Sequence, residues 1–201
     1  MDNKIIIISS PSGAGKTTIC KFLLKRIKNI EISISCTTRP QRKNEINGQD
    51  YYFLSNNEFI KFKKKKYFIE TAKVFDYYYG SPVKNIKKAF SNNNHILFDI
   101  DWQGAKKLRK NFDKSQIIDF FILPPNKEEL KKRLKKRGRD NDQEIKKRLL
   151  LAVSEISHYN EYKYVLINDK ITNTVRNLIK IIDYLLYIDD ISKTIKNYKI
   201  F

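Results

Sequence analysis

Two cysteines in 201 residues leave no disulfide framework, and Cys20 and Cys36 match no metal-ligand spacing. So sparse a pair suits reduced thiols in a cytosol, and neither sits beside an activating base. Histidine is equally scarce: His95 and His158 bring no partner groups with them and read as structural. No apolar run approaches the roughly 18–20 residues that cross a bilayer. The opening MDNK has no basic region followed by a hydrophobic segment, so no secretory signal is read there. The expectation is a cytoplasmic protein with no membrane partner. Acid is also short, with 22 Asp and Glu against 41 Lys and Arg and a formal charge of +19. Such a balance can attract nucleic acid. Here, however, the basic residues are spread over KFKKKK (61–66), KNIKK (84–88), AKKLRK (105–110) and KKRLKKRGR (131–139), with no single tail. The charge therefore reads as a solvated surface, and no specific nucleic-acid partner is expected.

What is present alternates. Continuous apolar runs at 4–9, 95–101, 116–123 and 163–167 predict buried strands, and helical patterns follow at 16–28, 82–91, 102–111, 127–137, 142–160 and 171–189. This order predicts an α/β fold with a parallel sheet flanked by helices. Ser81 before Pro82 reads as a helix N-cap, and Asn126 with Glu129, Asn141 with Glu144 and Ser55 with Glu58 read as capping boxes; Gly138 reads as a helix stop. Residues 35–81 break the alternation with short extended segments and one helix, a small β-rich insertion, and a charged helical insertion opens at 126. The end, 192–201, is expected to be frayed or loosely docked.

The stretch SSPSGAGKTT lies directly after the first apolar run. Gly15, Lys16 and Thr17 fill the last places of the pattern G-x-x-x-x-G-K-[ST], while Ser10 stands at its first glycine and Gly13 supplies local freedom. Glycines let backbone N–H groups turn inward around phosphate, and the following helix offers its positive end. Lys16 reaches the β- and γ-phosphates, and the Thr17 hydroxyl is a ligand for Mg²⁺. The loop predicts binding of a nucleoside triphosphate. Farther on, SCTTRPQR sets Arg39 and Arg42 three apart, two guanidinium forks able to clamp a second anion. Asp99 ends a strand, where a carboxylate that helps hold Mg²⁺ is expected, and Asp101 follows two residues later on the same side.

These segments, with NGQDYYF, VFDYYYGSP, FDIDWQGA, FFILPPNKEELKKRLKKRGRD and YKYVLIND, stand in an order and spacing that resembles the guanylate kinase family over about residues 4–185. The resemblance implies a P-loop core (4–34, 82–125 and 161–190), an inserted GMP-binding subdomain (35–81) and a helical lid (126–160). It implies transfer of the γ-phosphoryl group of ATP to GMP, with Mg²⁺ and without a general base. ATP and GMP would be the partners of a monomer or homodimer. Carried over by position, Ser10, Pro11, Ser12, Gly13, Ala14, Gly15, Lys16, Thr17 and Thr18 would bind ATP, with Asn168 beside the adenine. Thr17 and Asp99 would hold the metal. Ser35, Glu70 and Asp101 would read guanine, while Arg39, Arg42, Tyr51 and Tyr79 would hold the GMP phosphate with Ser81 nearby. Lys16, Arg39 and the lid arginines Arg133, Arg137 and Arg148 would act on the transferring group. The chemistry agrees: guanine presents two N–H donors that suit a carboxylate, and adenine does not. Three rivals remain, a nucleic-acid-binding P-loop protein, a catalytically silent interaction module and a kinase for another monophosphate that shares the loop.

Overall fold

Four consecutive isoleucines, Ile5 to Ile8, are each 0% exposed, and their alternation organises the molecule. In the computed structural model, which describes residues 3–136 and 142–197, the chain forms β1 (Ile5–Ser9), α1 (Lys16–Arg26), β2 (Ile30–Ile32), β3 (Cys36–Thr37), β4 (Tyr52–Phe53), α2 (Asn56–Lys64), β5 (Phe68–Val74) and β6 (Tyr77–Pro82). There follow α3 (Val83–Ser91), β7 (His95–Asp99), α4 (Trp102–Arg109), β8 (Ile117–Leu123), α5 (Lys127–Lys136), α6 (Asp142–Ile156), β9 (Tyr164–Ile167) and α7 (Ile171–Asn197).

Five strands make one parallel sheet in the order β2-β7-β1-β8-β9. Successive side chains of β1 point to opposite faces. Ile6 and Ile8 pack with Ile19 and Leu23 of α1 and with Leu178 and Ile182 of α7. Ile5 and Ile7 pack with Ile86 and Ala89 of α3 and with Ala105 and Leu108 of α4. Full burial of each such side chain contributes about 1.5–3 kcal/mol. With both faces covered, the strands need no polar side, and the continuous apolar runs follow. Among the described residues, no helix is long and apolar enough to cross a membrane.

The second sheet has the order β4-β3-β6-β5. Its hairpin β5–β6 is antiparallel, with Val74 opposite Tyr77 across a two-residue turn. Helix α2 covers it through Phe59, whose ring stacks on Phe68 at 4.6 Å and on Tyr78 at 5.4 Å. The Ser55–Glu58 capping box that opens α2 is complete. Helices α5 and α6 form a small core of their own from Leu130, Leu134, Ile145 and Ala152.

Several local expectations are corrected. Ser81 does not cap α3: it lies within β6, its hydroxyl donates to Glu70, and Pro82 stands at the cap. Asn126 Oδ1 accepts the Glu129 N–H at 2.8 Å, while the Glu129 carboxylate turns to Arg133. Helix α7 does not fray at 192 but runs to Asn197. Strand β2 escapes the apolar-run criterion because it is three half-buried residues, Ile-Glu-Ile, at the sheet edge. Arg137, Gly138 and Asn141 lie outside the described residues.

Candidate active site

Strands β1 and β7 end together, with Ile8 paired to Asp99, so the loop leaving β1 runs beside that carboxylate. This is the carboxyl edge of a parallel sheet, where ligands bind in such folds. The loop turns through Gly13 and Gly15 at φ of 95° and 97°, a region that other residues rarely adopt. At Gly15 there is also no room: a Cβ would lie 2.8 Å from Nδ2 of Asn168. That amide donates to the Ala14 carbonyl at 2.7 Å, and its oxygen accepts from Thr174 at 2.9 Å. Asn168 thus braces the loop.

Lys16 Nζ lies 3.0 Å from Asp99 Oδ1 and donates to the Ile100 carbonyl at 2.8 Å. Burial alone would depress its pKa; pairing with Asp99 more than offsets this, and the ammonium is held charged. The Thr17 hydroxyl donates to Asp99 Oδ2 at 3.0 Å. These two oxygens suit a hard cation that takes few protein ligands and completes its shell with phosphate and water, as Mg²⁺ does. No cluster of three His, Cys, Asp or Glu able to hold a metal occurs among the described residues. Thr18 is exposed in the first turn of α1.

Across the cavity, Glu70 on β5 is 4% exposed. Its Oε1 accepts from the Ser81 hydroxyl at 2.7 Å, and Ser81 in turn lies 3.2 Å from the Ser35 hydroxyl. Burial, with a smaller contribution from Asp101, pushes the Glu70 carboxyl up to about 7. Asp101 caps α4, accepting the Gly104 N–H at 2.9 Å, and is itself shifted upward by burial. Gly104 is required there, since a Cβ would approach Glu70 Oε2 to 2.7 Å. Two carboxylates therefore meet in a buried pocket with acceptor capacity to spare.

Arg39 is held by Glu45 through two bonds, 3.0 Å from Nη1 and 2.9 Å from Nη2, and lies 5.4 Å from the ring centre of Tyr51. The same carboxylate accepts the Arg42 N–H at 2.9 Å and lies 3.5 Å from its Nη1. Tyr51 and Tyr79 meet edge to face at 6.0 Å.

Helix α6 supplies Arg148, whose Nη1 donates to the Ser12 hydroxyl at 3.1 Å, and Glu155, whose Oε2 accepts the Ser12 N–H at 3.0 Å. Burial raises the pKa of Glu155. Arg133 lies elsewhere, pairing with Glu129 at 3.0 Å and donating to the Asp169 carbonyl at 3.1 Å.

One cavity of about 440 Å³ joins these groups, lined by the phosphate loop, Asp99 and Asp101 on one side and by Ser35, Arg39, Arg42, Tyr51, Glu70 and Tyr79 on the other. Arg148 and Glu155 line it too. Arg133 and Asn168 instead line a second cleft of about 300 Å³ behind Gly15, and Ser81 lies beneath Glu70, fully buried. His95 accepts the Lys4 N–H and His158 stacks on Trp102 at 3.5 Å; neither reaches the cavity. Burial pushes the Cys36 thiol up to about 12, which keeps it inert.

Sequence reasoning missed Glu45, Gly104 and Glu155. Glu45 carries a usable signal, an acid three residues after Arg42; Glu155 reads only as the polar side of a helix.

The comparisons agree with this geometry. The family model described as guanylate kinase matches residues 2–185. A guanylate kinase of Rickettsia conorii is 46% identical over 178 residues, covering 89% of this chain and 77% of its own. One of Caldanaerobacter subterraneus is 43% identical over 178 residues, covering 89% and 85%. The crystal structure of guanylate kinase from Anaplasma phagocytophilum superposes with a TM-score of 0.74 at 35% identity, covering 90% of this chain and 85% of that one. The chain belongs to the guanylate kinase family, the nucleoside monophosphate kinases that transfer a phosphoryl group from ATP to GMP.

Proposed function

We propose that ATP and GMP meet in the 440 Å³ cavity, and that the γ-phosphoryl group passes directly to a GMP phosphate oxygen. The observation that carries this reading is the junction, in one space, of the phosphate loop with the buried Glu70 and the half-buried Asp101.

On the ATP side, backbone N–H groups of residues 12–17 and the N-terminus of α1 receive the phosphates, and Lys16 neutralises the β- and γ-oxygens. Thr17 and Asp99 would hold Mg²⁺, which when bound neutralises charge on the phosphates. The adenosine extends toward the second cleft, past Arg133 and Asn168. On the GMP side, Glu70 in its ionised form accepts from guanine N1–H and the 2-amino group, with Asp101 and Ser35 adjacent. An adenine there leaves buried acceptors unpaired, at about 1–3 kcal/mol each. Arg39, pre-oriented by Glu45, and Arg42 clamp the GMP phosphate, with Tyr51 and Tyr79 adding hydroxyl donors.

No side chain need remove a proton, because the attacking phosphate oxygen is already ionised. The protein's task is to bring two anions together and exclude water. Segment 35–81 acts as the GMP subdomain and 126–160 as a lid whose Arg148 bears on the transferring group. A coupled assay of ADP formation with ATP and GMP, AMP, CMP or UMP tests the reading: turnover should be confined to GMP, and comparable use of AMP would overturn it.

A further inference from the structure

Phe75 occupies the first position of the turn between β5 and β6 at φ 54°, a left-handed conformation that bulky residues rarely adopt. Its ring is 41% exposed, so the turn carries both strain and an apolar side chain in water. A glycine would remove both. The ring instead meets the Arg148 guanidinium, whose central carbon lies 5.4 Å from the ring centre. The same guanidinium donates to Ser12 in the phosphate loop at 3.1 Å. Phe75, Arg148 and Ser12 all line the cavity. One arginine thus touches three separate pieces of the chain: the tip of the second sheet, helix α6 and the loop after β1.

The chemistry of the contact suits an arginine that must serve a phosphoryl group. An aromatic ring attracts the cation through its π-electrons and leaves the charge in place. A hairpin tip also moves as a unit with its sheet, so the ring arrives at Arg148 only when that sheet lies against α6.

We propose that Phe75 is a positioning residue: the tip of the GMP subdomain holds the lid arginine Arg148 over the phosphate loop, so that closure around GMP sets the cation that acts on ATP. This rests on the reading of Arg148 as a lid arginine. The effect belongs to the transfer rate rather than to GMP binding.

The test is single-turnover phosphoryl transfer at saturating ATP and GMP, with the GMP KM measured alongside, on the full chain. Phe75→Leu keeps apolar bulk and loses the π face; transfer should slow about two- to fivefold, the worth of a partly exposed cation–π contact, with KM within twofold. Phe75→Tyr should retain the parent rate. Phe75→Gly should be at least as slow as Phe75→Leu while its unfolding temperature does not fall, which separates positioning from stability. In an Arg148→Ala background, Phe75→Leu should have no further effect. The proposal is overturned if Phe75→Leu slows that background by the same factor as the parent, or if the Tyr and Leu variants are equally slow. An Arg148→Ala protein that transfers at the parent rate would overturn the reading of Arg148 itself, a distinct result that removes the proposal with it.

Discussion

Replacing Glu70 by Gln should make the unliganded protein more stable and worse at its task. The carboxyl is buried and held up to about 7 because burial disfavours its charge. Against the ordinary value of 4.5, this corresponds to about 3 kcal/mol at most. The sign follows from the direction of the shift. A carboxyl whose folded pKa is raised contributes its stability in full below the unfolded value and loses it as pH rises through the folded one. At pH 5 wild type and Glu70→Gln should therefore unfold at similar temperatures. At pH 8 the native carboxylate is ionised against its environment, and the amide, still able to accept from Ser81, should be the more stable. Three kcal/mol in a chain of this size corresponds to about 6–12 °C, an upper bound. The same change removes the charged acceptor of guanine's two donors, and kcat/KM for GMP should fall about ten- to hundredfold. Thermal unfolding at pH 5 and pH 8, with the coupled assay on GMP and AMP, measures both arms. An unfolding difference that does not change with pH, or an intact GMP preference, would refute the account of this carboxylate.

In wild type the same group makes kcat/KM for GMP fall toward tenfold per pH unit below about 7, since guanine requires the ionised form; a pH–rate profile checks this, and Glu70→Gln should retain only the inflection of GMP's own phosphate near ~6. Gly104→Ala places a Cβ 2.7 Å from Glu70 Oε2 in a helix that otherwise favours alanine; the GMP KM should rise about tenfold, an expectation set by loss of one well-placed hydrogen bond, while the ATP KM and the unfolding temperature hold. Lys16→Ala should lower kcat about 100- to 1000-fold, as loss of a preorganised donor does, and should also lower thermal stability, because Asp99 loses the ammonium 3.0 Å away.

The sheet was legible because its signal is local: a strand buried on both faces must be apolar at every position, and Ile5 to Ile8 can be read no other way. The phosphate loop was legible for the same reason, since Gly13, Gly15, Lys16 and Thr17 fall within five residues. Residues whose meaning depends on a distant segment were not. Asn168 is placed beside the adenine by resemblance alone, and nothing local signals that its amide reaches back 154 positions to Ala14. Glu155 has the spacing of a solvated helix face and lies instead against Ser12. Phe75 gives no sign of a left-handed turn, because the usual sign is glycine and the sequence withholds it.

Ser81 shows how a local rule loses to a distant one. A serine before proline at the start of a helical pattern is a good cap, worth about 1 kcal/mol where its hydroxyl meets the helix N–H groups. Here the hydroxyl donates to Glu70 at 2.7 Å instead, and α3 begins without a side-chain cap. The competition favours the carboxylate, because a charge buried without a donor costs more than a helix start without a side-chain cap, whose first N–H, that of Val83, donates to the Tyr67 carbonyl at 3.0 Å. The helix forgoes its cap so that Glu70 can sit almost wholly buried at the cavity wall, and that burial is what brings its titration to neutral pH and gives an unpaired adenine its penalty.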